Sequence, residues 1–313
     1  MAANAMARET LFALRQTIAR IEGRASTGLI ATAENPSRAE LGAPVTGNPG
    51  QAVLPVGPME LDALMEGGLP LDALTEIRSA QLRDAGAASG FVLALSVRLL
   101  ARRAAVSGPA RVLWIGERVV AMEAGLPHAA GLMDYGLEPH HLLYATPRRL
   151  EDGLWLAEAG LGSGAFAAVI LEINGNPRCF GLTESRRLSL KARSAGRPLL
   201  LLRQGGEEEA GSAFFRFCVR PAPAQGYRLP DGTQLGRSIG NPAFHVTLEK
   251  SRLPAPADIH LEWNAHDCLF FLARPDALSA GKPADFGAGF PASADRSDRT
   301  QPMGTILAFS RAS

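Results

Sequence analysis

From residue 53 onward, short apolar runs alternate with longer mixed stretches. Leu74–Ile77, Val112–Ile115, Leu142–Tyr144, Val169–Ile173 and Leu199–Leu202 are compact apolar segments. Runs of this kind predict strands buried on both faces, as in parallel sheets. The stretches between them predict helices over Gly90–Ala105, Val119–Ala124, Ala129–Tyr135, Arg148–Ala159 and Glu184–Ser194. Strand and helix in alternation argue for an α/β fold, a mostly parallel sheet flanked by helices. After Arg203 the texture changes. Phe214–Val219, Phe244–Leu248, Ile259–Trp263 and Leu269–Ala273 follow one another through turns, with no helical stretch between them. They predict an antiparallel C-terminal extension of the same sheet.

The two ends read differently. Residues 1–23 carry an amphipathic N-terminal helix over 8–23, with Leu11, Leu14, Ile18 and Ile21 on one stripe and Arg15 and Arg20 off it. Residues 24–52 are rich in Gly, Pro, Ser, Thr and Asn and predict a flexible linker. A helix on such a tether is either a docking arm or a segment folded back onto its own domain. Residues 53–274 make the folded domain. Residues 275–313, rich in Gly, Pro, Ser, Ala and Asp, predict a disordered tail that ends in a short apolar segment, Gly304–Ser310.

Composition narrows the function classes. With 32 basic and 31 acidic residues the formal net charge is +1, so no global field recommends nucleic acid or membrane as a partner. The three cysteines, Cys179, Cys218 and Cys268, are far apart and form no C-x-x-C pair. They argue for a reducing compartment and against a disulfide framework or a structural zinc. No uninterrupted apolar stretch of about 18 residues is present, so no membrane span and a cytoplasmic protein are expected. His140-His141 stands before a strand with no carboxylate or cysteine at ligand spacing, and His245, His260 and His266 are scattered over strands and turns, so no metal site is expected. Ser163 in GLGSGAF is no nucleophile elbow: Leu161 stands where the first glycine belongs, and the strand follows the serine.

The stretch from Gly67 to Leu95, GGLPLDALTEIRSAQLRDAGAASGFVLAL, has the outline of a phosphate site. An apolar strand leads into a small-residue loop and then a buried helix. A P-loop cradles phosphates with backbone N–H groups, a lysine and a Ser/Thr. Here the loop ends Gly86-Ala87-Ala88-Ser89-Gly90, with no lysine, and Arg83 and Asp84 precede it. A helix N-terminus alone favours an anion by only ~0.3–1 kcal/mol. The sequence therefore predicts a structural turn, with ATP and Mg²⁺ absent as cofactors.

The layout over roughly residues 53–265 resembles the RecA core. MELDALMEGGLPLDALTEI (59–77) is similar to the RecA segment that leads into its first core strand. RVLWIGE (111–117) resembles the strand ending in a glutamate, FAAVILEI (166–173) the Walker B strand, and LLLLRQ (199–204) the strand ending in a nucleotide-sensing glutamine. FHVTLEKSRLPAPADIHLEW (244–263) resembles the late hairpin with its basic residues. The family that keeps this frame while losing the P-loop lysine is ImuA, the SulA-related accessory protein of bacterial inducible mutagenesis, and the chain resembles it. That resemblance implies a non-catalytic role in SOS-inducible translesion synthesis. It implies an ImuB-type Y-family homologue and an error-prone DNA polymerase as partners, with RecA and a second copy of the chain as further candidates.

By the same resemblance, Arg83, Gly86, Ser89, Gly90, Glu117, Glu172, Gln204, Lys250 and Arg252 are the vestiges of a nucleotide site. Glu117 falls at the place of a water-activating carboxylate, Glu172 at that of the Walker B aspartate, and Gln204, Lys250 and Arg252 at γ-phosphate-sensing positions. No catalytic residue is assigned. The basic run ESRRLSLKARSAGRP (184–198) offers Arg186, Arg187, Lys191, Arg193 and Arg197 for contact with DNA phosphates, or as a solvated helix face. The loops that bind DNA in RecA are here NGNPRCFGLT (174–183) and GGEEEAGS (205–212), and three consecutive glutamates repel a phosphate backbone. Two alternatives stay open: a diverged DNA-stimulated ATPase using Arg83, Glu117 and Glu172, and a single-strand DNA-binding module acting through 186–197.

Overall fold

The computed structural model describes residues 52–107, 110–227, 235, 238–252 and 257–273. The predicted helix at 8–23, the linker to residue 51 and the tail from 275 lie outside the described residues.

The chain enters through a small antiparallel ribbon, β1 (Val53–Leu54) with β2 (Leu69–Pro70), which brackets α1 (Met59–Leu64). The main elements then follow in chain order: β3 (Leu74–Arg78), α2 (Ala85–Ser107), β4 (Arg111–Gly116), α3 (Arg118–Glu123), α4 (Ala129–Asp134), β5 (Leu142–Ala145), α5 (Leu150–Ser163), β6 (Phe166–Asn174), α6 (Leu182–Ala195), β7 (Leu199–Gln204), β8 (Phe215–Pro221), β9 (Ala243–Lys250), β10 (Ala257–Asn264) and β11 (Leu269–Leu272). The last nine strands form one sheet in the order β11-β10-β9-β8-β3-β7-β6-β4-β5.

The six strands from β8 to β5 run parallel, and β9, β10 and β11 add an antiparallel wing. The protein is thus an α/β molecule with a large, mostly parallel mixed sheet flanked by helices. The antiparallel part begins one strand later than the sequence texture predicts: β8, the first strand without a preceding helix, pairs parallel with β3.

Strand alternation divides the core. Leu200 and Leu202 of β7 join Ile77, Ile170, Trp114 and Phe217 in the cluster beneath α2. Leu199 and Leu201 join Leu74, Leu171, Leu188 and Leu154 in the cluster beneath α5 and α6. Helix α2 is largely apolar because it is mostly buried: Phe91, Val92, Leu95 and Leu99 share one core cluster with the sheet residues and with Leu54, Val56, Leu61, Met65 and Leu132. By length and hydropathy this helix would pass for a membrane span, which the unbroken-run criterion overlooked. Yet 67% of its most apolar window is buried inside the protein, as in a core helix.

The helix ends follow local chemistry. α6 opens with the Glu184 carboxylate reaching back to accept the Gly181 N–H at 2.9 Å, one half of a capping box, since Gly181 has no side chain to return the bond. α5 closes on Gly164 at φ 68°, a left-handed position that glycine reaches without strain.

One expectation fails at the start of α2. The helix begins at Ala85, five residues before Gly90, and the strand–helix connection is the short segment Ser79–Asp84 with a 3₁₀ turn at Leu82–Asp84. Gly86, Ser89 and Gly90 are therefore helical, and there is no small-residue loop. The glycine at 90 serves packing instead: a Cβ there would overlap the Tyr135 hydroxyl and press on Phe244.

Candidate functional site

In open α/β sheets, ligands bind outside the carboxyl ends of the parallel strands, where the strand order reverses. In this sheet β3 ends at Arg78-Ser79, β4 at Gly116-Glu117, β6 at Asn174 and β7 at Gln204. On the α2 face their polar side chains meet in one closed network. Gln204, fully buried, is its hub. The Ser79 hydroxyl donates to its Oε1 at 3.1 Å, and its Nε2 donates to Ser89 Oγ and to Glu172 Oε1, both at 2.9 Å. Trp114 Nε1 donates to the other oxygen of Glu172 at 2.8 Å. The Gly205 N–H completes the ring, donating to Ser79 Oγ at 2.9 Å.

Glu172 is thereby sealed, 3% exposed. Burial pushes its carboxyl above the ordinary glutamate value of 4.5, against the lowering effect of the hydrogen bonds from Gln204 and Trp114. Tyr144 covers the same corner. Its hydroxyl lies where a Cβ on Gly116 would be, is shut off from solvent, and has no hydrogen-bond partner. Burial, and then the charge of Glu172, pushes its phenol up to about 12. Glu117 sits at the rim, where its carboxylate accepts the Asn174 N–H at 3.2 Å.

The structure brings Ser89, Glu172 and Gln204 into one network, with Glu117 at its rim. It adds Ser79, Trp114 and Tyr144, which sequence reasoning missed. The signal for them lay in Gly116 and in the polar ends of the apolar strands. Arg83 is exposed on the 3₁₀ turn, Gly86 faces open space on the first turn of α2, and neither enters the network. Lys250 and Arg252 are elsewhere. Lys250 Nζ donates to the Gly211 carbonyl at 2.7 Å, and Arg252 stacks over Phe214, 4.4 Å from the ring centre.

The opposite face of the same strands holds a second polar cluster. Glu76, Arg78, Arg203 and Arg216 are all buried. Arg203 Nε donates to Glu76 Oε1 at 3.0 Å and Arg216 Nε to Glu76 Oε2 at 2.9 Å. Arg78 Nε donates to Glu249 Oε2 at 2.7 Å. The glutamate run 207–209 folds over this cluster. Glu208 lies 3.5 Å from Arg216, Glu209 lies 3.7 Å from Arg203, and Arg216 also donates to the Glu209 carbonyl. Asn176 pins the run by donating to the Glu209 carboxylate at 2.9 Å and accepting the Glu207 N–H at 2.7 Å. Two of the three glutamates are thus counter-ions to arginines of their own chain.

The basic run on α6 is also partly consumed by its own fold. Arg187 pairs with Glu158 of α5 at 2.5 Å, Arg197 donates to the Gly164 carbonyl at 3.2 Å, and Lys191 packs beside Gly162. Among the described residues, only Arg186 and Arg193 of the five point outward without such a partner. The histidines hold another surprise: His140 does have a carboxylate at ligand spacing, since Glu138 Oε2 lies 3.2 Å from its Nδ1.

Fold and site together define an α/β protein with a mixed sheet and a self-satisfied polar network at its strand ends. No protein-family model matches the chain, and no curated protein matches it either.

Proposed function

We propose that this chain is a non-catalytic accessory protein on a RecA-like frame, of the kind its resemblance to ImuA implies. It would act in SOS-inducible translesion synthesis as an adaptor for an ImuB-type protein and an error-prone DNA polymerase. The observation that carries the non-catalytic part is the Gln204 network. In a nucleotide site, the sensing glutamine and the acidic residue at the strand ends must face a phosphate and its metal. Here Gln204 hydrogen-bonds Ser79, Ser89 and Glu172, and Trp114 takes the remaining oxygen of Glu172. Opening that network would leave buried polar groups unpaired, at ~1–3 kcal/mol each. Among the described residues, no lysine joins the network to repay the loss.

The order of the parallel strands, with β3 between β8 and β7 and then β6 and β4, supports the frame. The adaptor role rests on the resemblance of the quoted segments. Calorimetric titration with Mg-ATP, with and without single-stranded DNA, tests the non-catalytic part. The expected result is no heat in either case. Micromolar binding would overturn it and restore the ATPase alternative through Arg83, Glu117 and Glu172. Loss of ImuB binding when 275–313 is removed would support the adaptor part; unchanged binding would count against the tail as its docking element.

The DNA-binding alternative keeps two outward cations, Arg186 and Arg193. Two phosphate contacts give a log–log salt slope of only about −1.4 for single strands, and a steeper slope would point to a larger surface.

A further inference from the structure

We propose that Glu138, His140 and His141 form a binding site for a first-row divalent transition ion, for which Zn²⁺ is the probe. His140 and His141 lie on one 3₁₀ turn, Pro139–His141, and Glu138 caps its start, the turn being closed by the His141 N–H donating to the Glu138 carbonyl at 2.9 Å. One ligand atom from each residue falls within 4.8 Å of the others, and His140 Nδ1 lies 3.2 Å from Glu138 Oε2. Four ligands about 2.1 Å from a tetrahedral zinc stand about 3.4 Å apart, so small side-chain rotations close the set.

The backbone favours this. Pro139 fixes one dihedral of the turn, so little chain entropy is lost on binding. The two imidazole rings already lie 4.0 Å apart between centres. Glu138 and His140 are exposed, so no core group has to be displaced. The donor set sets the class of ion. Two imidazoles and one carboxylate suit zinc, copper or nickel, whereas magnesium and calcium prefer oxygen ligands alone. Three protein ligands from one turn leave the remaining position to water. The turn precedes β5, at the amino ends of the parallel strands and on the sheet edge, so it is separate from the Glu172–Gln204 network at the carboxyl ends.

The test is calorimetric titration of the untagged full chain with ZnCl₂. One equivalent should bind, with no matching response to MgCl₂. His140→Ala and Glu138→Gln should each weaken binding tenfold or more, and His140→Ala/His141→Ala should abolish it. His245→Ala, whose ring stacks on His260 at 4.5 Å, away from this turn, should leave it unchanged. Because the turn is exposed, the variants should keep the wild-type melting curve. The proposal is overturned by absence of zinc binding, by a double variant that titrates like the wild type, or by an equal response to magnesium.

Discussion

Arg203 and Arg216 divide one carboxylate between them: each donates from Nε to a different oxygen of Glu76, at 3.0 and 2.9 Å, with all three side chains at most 5% exposed. They stand on β7 and β8, on either side of β3, which carries Glu76. Removing one partner of a buried ion pair is far more damaging than replacing the whole group, because it strands a charge in the interior. Here two arginines would be left with only backbone carbonyls and the partly solvated Glu208 and Glu209 as partners. Glu76→Ala should therefore destabilise the fold by at least ~3–5 kcal/mol. Urea unfolding followed by tryptophan fluorescence measures it. A loss below ~1 kcal/mol, the scale of a surface pair, would show that the triad contributes little.

The glutamates above the triad should behave otherwise. The side chains of Glu208 and Glu209 are 41% and 43% exposed, and their distances to the arginines are long for hydrogen bonds. Partly solvated pairs of this kind contribute ~0–1 kcal/mol each. Glu208→Gln and Glu209→Gln should each cost no more than that, and the cost should shrink in high salt. Glu209→Lys should cost more, because it brings a third cation to Arg203 and Arg216. Urea midpoints at low and high ionic strength separate the cases.

The strands were legible in the sequence because each is a run of Leu, Ile and Val whose burial needs no knowledge of its neighbours. The polar residues inside them were not. Glu76 finds its partners at sequence separations of 127 and 140, and nothing in LTEIR announces an arginine from β7 on one side and from β8 on the other. The same long-range pairing hid the role of the glutamate run, whose local texture suggests only repulsion of phosphate. At α2 the misreading was of glycine itself. Gly86 and Gly90 look like loop residues, yet both lie in the helix, and at 90 the glycine answers to Tyr135 and Phe244, which occupy the space of a side chain. The positions of Glu117, Glu172 and Gln204 were legible, since each stands at or near the carboxyl end of an apolar strand. That Trp114 and Ser79 would satisfy two of them was not.

Gly90 gives a test in which two effects oppose. Gly→Ala inside a helix favours folding by up to ~1 kcal/mol. Here the added methyl would overlap the Tyr135 hydroxyl, and overpacking of this kind costs ~1–3 kcal/mol. Overpacking should win, and Gly90→Ala should lower the melting temperature. Gly90→Ala/Tyr135→Phe, which removes the oxygen but leaves the ring carbon 2.9 Å from the added methyl, should recover part of the loss. A single variant as stable as the wild type would mean that Tyr135 moves aside freely.

Glu172 carries a pH prediction of opposite sign to that of an ordinary paired carboxylate. Its folded-state carboxyl is held above 4.5, chiefly by burial. The unfolded chain therefore releases this proton at lower pH than the folded one. Between the unfolded value and the raised folded value the native state binds more protons, so this residue's contribution to stability falls as pH rises through that window and stays low above it. Glu172→Gln removes the titration while keeping an oxygen for Trp114 Nε1. The difference in unfolding free energy between variant and wild type, followed from pH 4 to pH 7, should move steadily in favour of the variant, because the other carboxylates cancel in the comparison. A difference that is flat over this range, or that moves the other way, would show that the hydrogen bonds from Gln204 and Trp114 outweigh desolvation and that Glu172 is held as a stable carboxylate. An anionic Glu172 would also restore the acidic group that a metal–nucleotide complex requires, so this one titration bears on the fold and on the non-catalytic reading together.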